Sequence, residues 1–262
     1  MLTILFTLSL SVAEPEVNRL VMEALLREGF SRQEAAGILA DSRLTPYPLP
    51  FEKPAGGISW RKYTSDLLQD ESVQNGRRFM DDNLPLLLEI ERVYGVPKEY
   101  LVTIARIETN LGKFLGEHSV LRVFWGMTKR RRTPAERKKA AGQFAAAAAY
   151  CRANGISDCF SLGSSYAGAI GLTQFLPLTL KEDGVDWDKD GSVNVFRPTD
   201  ALASTANFLA RKGWSSKNRA KCFAALARYY GLAEQHWNRP YSYPKAALLY
   251  AETLKREPAD AK

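Results

Sequence analysis

The stretch Tyr100-Leu-Val-Thr-Ile-Ala-Arg-Ile-Glu-Thr-Asn-Leu-Gly112 is mostly apolar, contains a single carboxylate and ends in glycine. Four of its residues follow the i, i+3, i+4, i+7 spacing of one helix face: Leu101, Ile104, Ala105 and Glu108. The pattern predicts a helix that ends at Gly112 and turns its acid towards the side that seeks burial. A buried acid is costly unless it is paired, hydrogen-bonded or protonated, and a general acid needs a raised pKa near neutral pH. The helix alone leaves open whether Glu108 is catalytic or is bonded to backbone or to an arginine such as Arg106.

The composition is that of a globular protein with a basic surface. The chain has 262 residues, of which 45% are hydrophobic and 25% charged, enough for one large domain or two small ones. A net charge of +7 favours an anionic partner, which can be a nucleic acid, a membrane surface or an acidic wall polymer. Basic residues cluster at 129–132 and 137–139, but no aromatic platform or DNA-binding motif accompanies them, so nucleic acid is not expected.

The N-terminus resembles an export signal. Residues 1–13 are apolar and end in Ser-Val-Ala before Glu14, which predicts a signal peptide and a periplasmic or secreted protein. The alternatives are a buried N-terminal segment or a misplaced start codon. Neither this stretch nor any other is long and apolar enough to span a bilayer, and no lipid-attachment cysteine follows it. An oxidising compartment would allow Cys151 and Cys159 to form a disulfide, leaving Cys222 as a buried thiol.

Helical signals dominate the chain and strand signals are few. Ser31 and Glu34 have capping-box spacing, and Thr133 is a helix cap. Helices are predicted at 16–28, from Ser31 onwards, at 60–94, after Pro97, and at 134–150, 199–212, 220–230 and 244–255. Residues 45–57 contain four prolines and two glycines and indicate a linker. The predicted organisation is therefore a signal at 1–13, a helical segment with its linker at 14–57, and one domain at 58–262.

A small-residue segment, Gly163-Ser-Ser-Tyr-Ala-Gly-Ala-Ile-Gly-Leu-Thr-Gln-Phe-Leu-Pro177, allows backbone to approach another helix or a ligand closely. The amide of Gln174 can orient a polar substrate there. The alternative is a tightly packed helix–turn element.

An acidic segment, Asp186-Trp-Asp-Lys-Asp-Gly-Ser-Val-Asn194, matches the first half of an EF-hand loop, with acids at positions one, three and five and glycine at six. Position twelve is Arg197 rather than glutamate, so a standard EF-hand is not expected. Asp200 can supply the missing carboxylate; the alternative is an acidic turn without an ion.

Together these segments resemble one enzyme family. The order of Glu108-Thr-Asn-Leu-Gly112, the segment 164–177, the acidic loop 186–200 and Ala206-Asn-Phe-Leu-Ala-Arg-Lys-Gly-Trp214 is similar to that in lytic murein transglycosylases of the B type. The similarity runs from about Phe51 to about Leu254. It implies a mainly α, lysozyme-like (soluble lytic transglycosylase) helical core at 58–262 with few or no strands, plus an EF-hand-like calcium loop.

The resemblance also implies a reaction. Such enzymes are lyases that cleave the β-1,4 bond between N-acetylmuramic acid and N-acetylglucosamine in peptidoglycan without water, leaving 1,6-anhydromuramic ends. Glu108 would act as acid and then as base, without a cofactor, while the substrate N-acetyl group stabilises the positive charge. Most glycosidases use two carboxylates, but the matched motifs hold no second acid outside the calcium loop.

By position, the resemblance assigns two sets of further residues. The substrate groove would contain Ser165, Tyr166, Gln174, Tyr229 and Tyr243. A structural Ca²⁺ would be bound by Asp186, Asp188, Asp190, the carbonyl of Ser192 and Asp200. Two positions depart from the family, because Tyr230 replaces a common asparagine and Phe208 replaces a common tyrosine. One alternative is a hydrolytic muramidase on the same fold. The other is a wall-binding protein of low activity, and the intact Glu108 argues against this second alternative.

Overall fold

The structure is a computed structural model that describes residues 14–47 and 58–256. The predicted signal at 1–13 and residues 48–57 of the predicted linker lie outside the described residues. The described residues form helices α1 (Glu14–Arg27), α2 (Arg32–Leu39), α3 (Trp60–Leu67), α4 (Asp70–Asp82), α5 (Leu84–Tyr94), α6 (Lys98–Thr109), α7 (Val120–Arg130), α8 (Pro134–Ala153), α9 (Pro177–Asp183), α10 (Pro198–Arg211), α11 (Arg219–Tyr229) and α12 (Tyr243–Lys255). Strands β1 (His118–Ser119) and β2 (Gly163–Ser164) pair antiparallel.

Helix boundaries follow the capping signals where these exist. The capping box of α2 forms, with the Glu34 amide donating to Ser31 Oγ at 3.1 Å and the Ser31 amide donating to Glu34 at 2.7 Å. A second capping box joins Thr133 to Glu136 at the start of α8. The single run predicted at 60–94 is wrong: it is three helices, because the chain leaves the helix at Gln69 and again at Asn83. Helical spacing of apolar residues continues across both breaks, so periodicity does not reveal them.

Helix α7 has no counterpart among the predicted helices. The helix ends in basic residues, whereas most of its first half is buried. Trp125 lies in this buried stripe, and its indole N–H donates to Asn18 Oδ1 at 3.2 Å.

The described residues form two compact units that interleave along the chain. The first contains residues 14–47, Gly116–Ala169 and Leu176–Lys181. In it, α8 packs against α7 and α1, and its small side chains at 145–148 are buried, which allows close helix contact. A disulfide joins Cys151 to Cys159 in this unit.

The second unit contains residues 58–115, Ile170–Phe175 and 182–256. Here α6 contacts α4, α5, α10 and α12. Every residue from Glu99 to Ala105 is buried, so α6 is covered on all sides rather than on the one predicted face. Cys222 is a buried free thiol in this unit.

The interleaving differs from the consecutive segments expected from the sequence. Helix α1 packs on α7 and α8, which follow it by about a hundred residues or more. Its buried side includes Val17, Val21 and Leu25. An amphipathic helix must cover its apolar face, but the sequence does not name its partner. Among the described residues, no helix combines the length and apolar character needed to cross a bilayer.

The packing of α8 generates a stability prediction. Phe144 is completely buried, so Phe144→Ala removes a large side chain and leaves a cavity. We expect the free energy of unfolding to fall by about 3–5 kcal/mol, measured by urea denaturation. Phe114→Ala is the control, since this side chain is 71% exposed, and should change it by less than about 0.5 kcal/mol. Equal effects of the two substitutions would contradict the packing described for α8.

Candidate active site

The C-terminal end of α6 places Glu108 one residue before the helix ends. The helix ends at Thr109 rather than at Gly112, because Asn110 and Leu111 both adopt left-handed φ values, 53° and 60°. The Leu111 amide donates back to the Ala105 carbonyl at 3.0 Å. A left-handed leucine is uncommon, so surrounding contacts must hold this turn in place.

Thr109 supplies one of those contacts. Its buried hydroxyl donates to the Leu172 carbonyl at 2.7 Å and accepts the Gly112 amide at 3.0 Å. The hydroxyl therefore connects the end of α6 to the small-residue segment. This gives the Glu-Thr-x-x-Gly pattern a structural role that was not apparent from helical spacing.

Residues 170–175 of the small-residue segment form a tight turn in the second unit. Gly171 has φ 78°, and a Cβ there would stand 2.4 Å from the Val195 carbonyl oxygen, so no larger residue fits. Gln174 has φ 56°, and its side-chain amide donates to the carbonyls of Gly171 at 2.9 Å and Leu115 at 3.3 Å. Gln174 therefore stabilises the turn through its side-chain N–H groups, whereas the sequence predicted only that its amide orients a substrate.

Glu108 is half-buried, and no charged side chain among the described residues is its partner. Burial raises the pKa of Glu108 from its ordinary value of 4.5 to about 7, and the nearby Tyr243 hydroxyl lowers it partly. Arg106, the partner proposed in the structural interpretation, instead donates from Nε to Ser72 Oγ at 3.1 Å. With a pKa of about 7, the acid is close to half-protonated at neutral pH.

Two of the predicted groove tyrosines surround Glu108. Burial raises the pKa of Tyr229 and of Tyr243, and the charge of Glu108 raises both further. The Tyr229 hydroxyl donates to the Thr173 carbonyl, and its ring packs edge-on against Phe208 with centroids 5.2 Å apart. The Tyr243 hydroxyl is buried and makes no hydrogen bond of standard geometry with another described residue, although it interacts with Glu108.

Two aromatic residues near Glu108, Tyr63 and Trp60, were not predicted from the sequence. Tyr63 on α3 responds to the charge of Glu108, and its hydroxyl donates to the Ile107 carbonyl at 3.1 Å. Trp60, at the start of α3, packs edge-on against Tyr63 and Tyr243, with centroids 5.4 and 5.7 Å apart. Aromatic residues at helical spacing were the available signal, but spacing cannot identify which helix they face.

Two predicted groove residues belong to the first unit. The Ser165 backbone exchanges hydrogen bonds with Gly168 and Ala169, and its hydroxyl accepts the Ala169 amide at 3.2 Å. Tyr166 is exposed at the tip of the same turn. Gly168 is required there, since it has φ 81° and a Cβ would stand 2.3 Å from the Phe124 ring.

The acidic loop brings three carboxylates together. Oxygens of Asp186, Asp188 and Asp200 lie within 4.8 Å of one another. Asp200 is buried near the start of α10, where it accepts the amides of Trp187 at 2.9 Å and Asn194 at 2.7 Å. Asp200, the predicted substitute for the standard twelfth ligand, therefore lies beside Asp186 and Asp188.

Asp190 is not part of that carboxylate cluster. Its Oδ1 accepts the Ser192 amide at 2.8 Å and the Ser192 hydroxyl at 2.6 Å. Lys189 and Gly191 on either side have φ values of 59° and 90°, which turn the loop sharply. Hard cations prefer such oxygen-only sites, and the three gathered carboxylates fit that chemistry.

The sequence as a whole matches a known domain. The family described as Transglycosylase SLT domain matches residues 13–255. The chain belongs to this family. This match confirms the resemblance to lytic transglycosylases that the motifs indicated, and it extends over nearly the full length of the chain.

Individual relatives agree with this assignment. The SLT-domain chain is 28% identical over 211 residues to membrane-bound lytic murein transglycosylase B of Escherichia coli K12, covering 76% of this chain and 58% of that protein. It therefore spans less than two thirds of that relative's length.

Solved structures confirm the fold. The soluble lytic transglycosylase SltB1 of Pseudomonas aeruginosa superposes with a TM-score of 0.75 and 22% identity, covering 92% of this chain and 98% of that one. Escherichia coli Slt35 in complex with calcium gives a TM-score of 0.71 and 19% identity, covering 97% and 98%. The predicted mainly α, soluble lytic transglycosylase fold is confirmed for this SLT-domain chain.

The raised pKa of Glu108 predicts a pH-dependent stability. Between pH 4.5 and about 7 the folded state binds more protons at this site than the unfolded state, so the site lowers stability as pH rises. Glu108→Gln removes this cost. We expect the variant to be more stable than the parent above pH 7 by at most about 3 kcal/mol, less the part that solvent screening removes, and not below pH 4.

Urea unfolding from pH 4 to pH 8 measures this difference. Glu89→Gln, at an exposed position on α5 of the same unit, is the control and should differ little from the parent at any pH. A Glu108→Gln stability difference that does not change with pH would contradict the burial described for Glu108.

Proposed function

We propose that the protein is a lytic transglycosylase that cleaves the β-1,4 bond between N-acetylmuramic acid and N-acetylglucosamine and leaves a 1,6-anhydromuramic end. The observation that carries this proposal is the half-buried Glu108, whose pKa is raised to about 7 without a charged neighbour. Membership of the SLT-domain family supports it. A pKa near 7 allows one carboxyl group to give a proton and later to take one at the same pH.

In the first step, protonated Glu108 donates its proton to the glycosidic oxygen, and the bond between that oxygen and the anomeric carbon breaks. The substrate N-acetyl oxygen stabilises the positive charge that develops at the anomeric carbon. In the second step, the Glu108 carboxylate removes the proton from the 6-hydroxyl of the same sugar, and that oxygen bonds to the anomeric carbon. Glu108 ends protonated as it began, so no cofactor is consumed.

The surrounding residues have distinct roles in this proposal. The Thr109–Leu172 hydrogen bond fixes the helix end that carries the acid. The hydroxyl groups of Tyr229 and Tyr243 stay protonated and neutral, since the pKa of each is raised. Neutral donors can bind sugar hydroxyls without a fixed charge that would displace the pKa of Glu108.

We also propose a structural Ca²⁺ at the acidic loop, held by Asp186, Asp188 and Asp200 with Ser192 and Asp190 completing the predicted set. The convergence of three carboxylates supports it, as does the calcium complex of Slt35, which has the same fold. A bound cation would offset the repulsion among these acids and cross-link the loop to the start of α10. It has no part in the proposed reaction.

The proposed location is the periplasm or outside the cell, with peptidoglycan strands as the partner. The Cys151–Cys159 disulfide is consistent with an oxidising compartment. The net charge of +7 suits an anionic wall polymer.

The reaction is tested with purified peptidoglycan and mass spectrometry of the released fragments. The parent should release anhydromuropeptides, each one water lighter than the hydrolytic product. Glu108→Gln retains the size of the side chain but cannot transfer the proton, so the rate should fall by at least about 10²-fold. Glu89→Gln should release anhydromuropeptides at the parent rate.

Each alternative gives a distinct result in this assay. Reducing muramic ends alone would identify a hydrolase and refute the transglycosylase. Retained binding of peptidoglycan with no released fragments would identify a wall-binding protein. Normal release by Glu108→Gln would refute the role of this acid.

The calcium proposal predicts a change in thermal stability. Adding Ca²⁺ to chelator-treated protein should raise Tm by roughly 2–5 °C, because the ion binds only the folded loop. Asp188→Asn should abolish this increase, whereas Asp81→Asn, on the exposed side of α4, should retain it. Scanning calorimetry with and without Ca²⁺ measures the difference, and an Asp188→Asn variant that responds like the parent would exclude the site.

A further inference from the structure

Tyr230 is in direct contact with Tyr243, one of the two tyrosines that surround Glu108. It caps the C-terminal end of α11 and is 36% exposed. Its ring stacks on the ring of Tyr243, with centroids 4.7 Å apart and planes inclined by 17°. An asparagine side chain is too small to cover an aromatic face in this way.

Tyr243 is held on two sides by aromatic rings. Tyr230 covers one face, and Trp60 meets the ring edge-on at 5.7 Å and 81°. Trp60 also contacts Tyr230 edge-on at 5.5 Å, so the three rings touch one another. Tyr243 is only 1% exposed, and its hydroxyl forms no hydrogen bond of standard geometry with another described residue. The position of this hydroxyl beside Glu108 therefore depends on how the surrounding rings hold the Tyr243 ring.

We propose that Tyr230 is a positioning residue, whose ring holds the Tyr243 hydroxyl against the Glu108 carboxylate. The inference rests on the proposed role of Glu108 as the acid. Stacked and edge-on aromatic contacts have preferred geometries, and together they restrict the tilt and displacement of the Tyr243 ring. Since the hydroxyl oxygen lies on the long axis of that ring, restricting the tilt holds the oxygen beside the acid.

Tyr63, Tyr229 and Tyr243 of the described residues respond to the charge of Glu108, and Tyr243 stacks on Tyr230. Tyr63 of α3 and Tyr229 of α11 are anchored by hydrogen bonds to the carbonyls of Ile107 and Thr173. Tyr243 of α12 has no such anchor. Because its hydroxyl lowers the pKa of Glu108, releasing Tyr243 should raise that pKa and make Glu108 a weaker proton donor in the first step.

The experiment compares Tyr230→Asn, Tyr230→Leu and Tyr230→Phe with the parent. Asparagine and leucine remove the stacked ring, whereas phenylalanine retains it. Tyr241→Asn is the control, since Tyr241 is 46% exposed and lies two residues from Tyr243. The first readout is the titration of the Glu108 carboxyl by ¹³C NMR in the absence of substrate, assigned with Glu108→Gln. The second is the pH profile of kcat, together with KM, for release of anhydromuropeptides.

We expect the Glu108 titration midpoint to move to higher pH in Tyr230→Asn and Tyr230→Leu, and to follow the parent in Tyr230→Phe and Tyr241→Asn. The descending limb of kcat, which reports the loss of the proton that Glu108 must donate, should move in the same direction, and kcat below that limb should fall roughly tenfold while KM changes little. Tyr230→Phe should recover most of the lost kcat.

Two results would overturn the inference. An unchanged Glu108 titration in folded Tyr230→Asn and Tyr230→Leu would show that Tyr230 does not position Tyr243. A rise in KM alone, with kcat and its pH profile unchanged, would make Tyr230 a stacking surface for sugar instead. Because the titration needs no substrate, it gives an answer even if the parent releases no anhydromuropeptides, a result that would refute the proposed function separately.

Discussion

The burial of one carboxyl group without a counter-charge is the constraint on which the rest of the site depends. Glu108 can remain half-buried only because its pKa rises to about 7 and it spends part of its time neutral. The surrounding groups add no positive charge beside the carboxyl group. Tyr63, Tyr229 and Tyr243 are neutral, and Arg106 donates to Ser72 instead. An arginine turned towards Glu108 would lower the pKa and remove the acid from its working range.

The burial is maintained by a backbone arrangement that is itself strained. Two consecutive non-glycine residues adopt left-handed φ values directly after Thr109, and Gln174 adopts a third in the facing turn. Such conformations persist only where their surroundings determine them. Here the Thr109 hydroxyl and the Gln174 amide donate to backbone carbonyls, and Gly171 permits the approach of Val195. The polar residues of the motif thus hold in place the helix end that carries the acid.

The sequence predicted individual helices better than it predicted their partners. The capping box at Ser31 and the helix cap at Thr133 were predicted correctly because a cap involves only neighbouring residues. The single helix predicted at 60–94 was wrong because the same apolar spacing continues across both breaks. Helix α7 was not predicted because it begins without a side-chain cap and ends in a cluster of basic residues. Tyr63 and Trp60 were missed because their proximity to Glu108 joins segments that lie more than forty residues apart.

By itself the sequence determined the fold class and the family and identified Glu108 as the candidate acid, because Glu108 and the glycine-rich turn are specified by residue type at fixed spacing. Only the tertiary structure decided that the chain divides into interleaved units, that Gln174 anchors backbone, that Asp190 turns towards Ser192 and that Tyr230 stacks on Tyr243. These facts depend on contacts between distant segments. Local pattern determines which face of a helix is apolar or polar, whereas packing determines what that face meets.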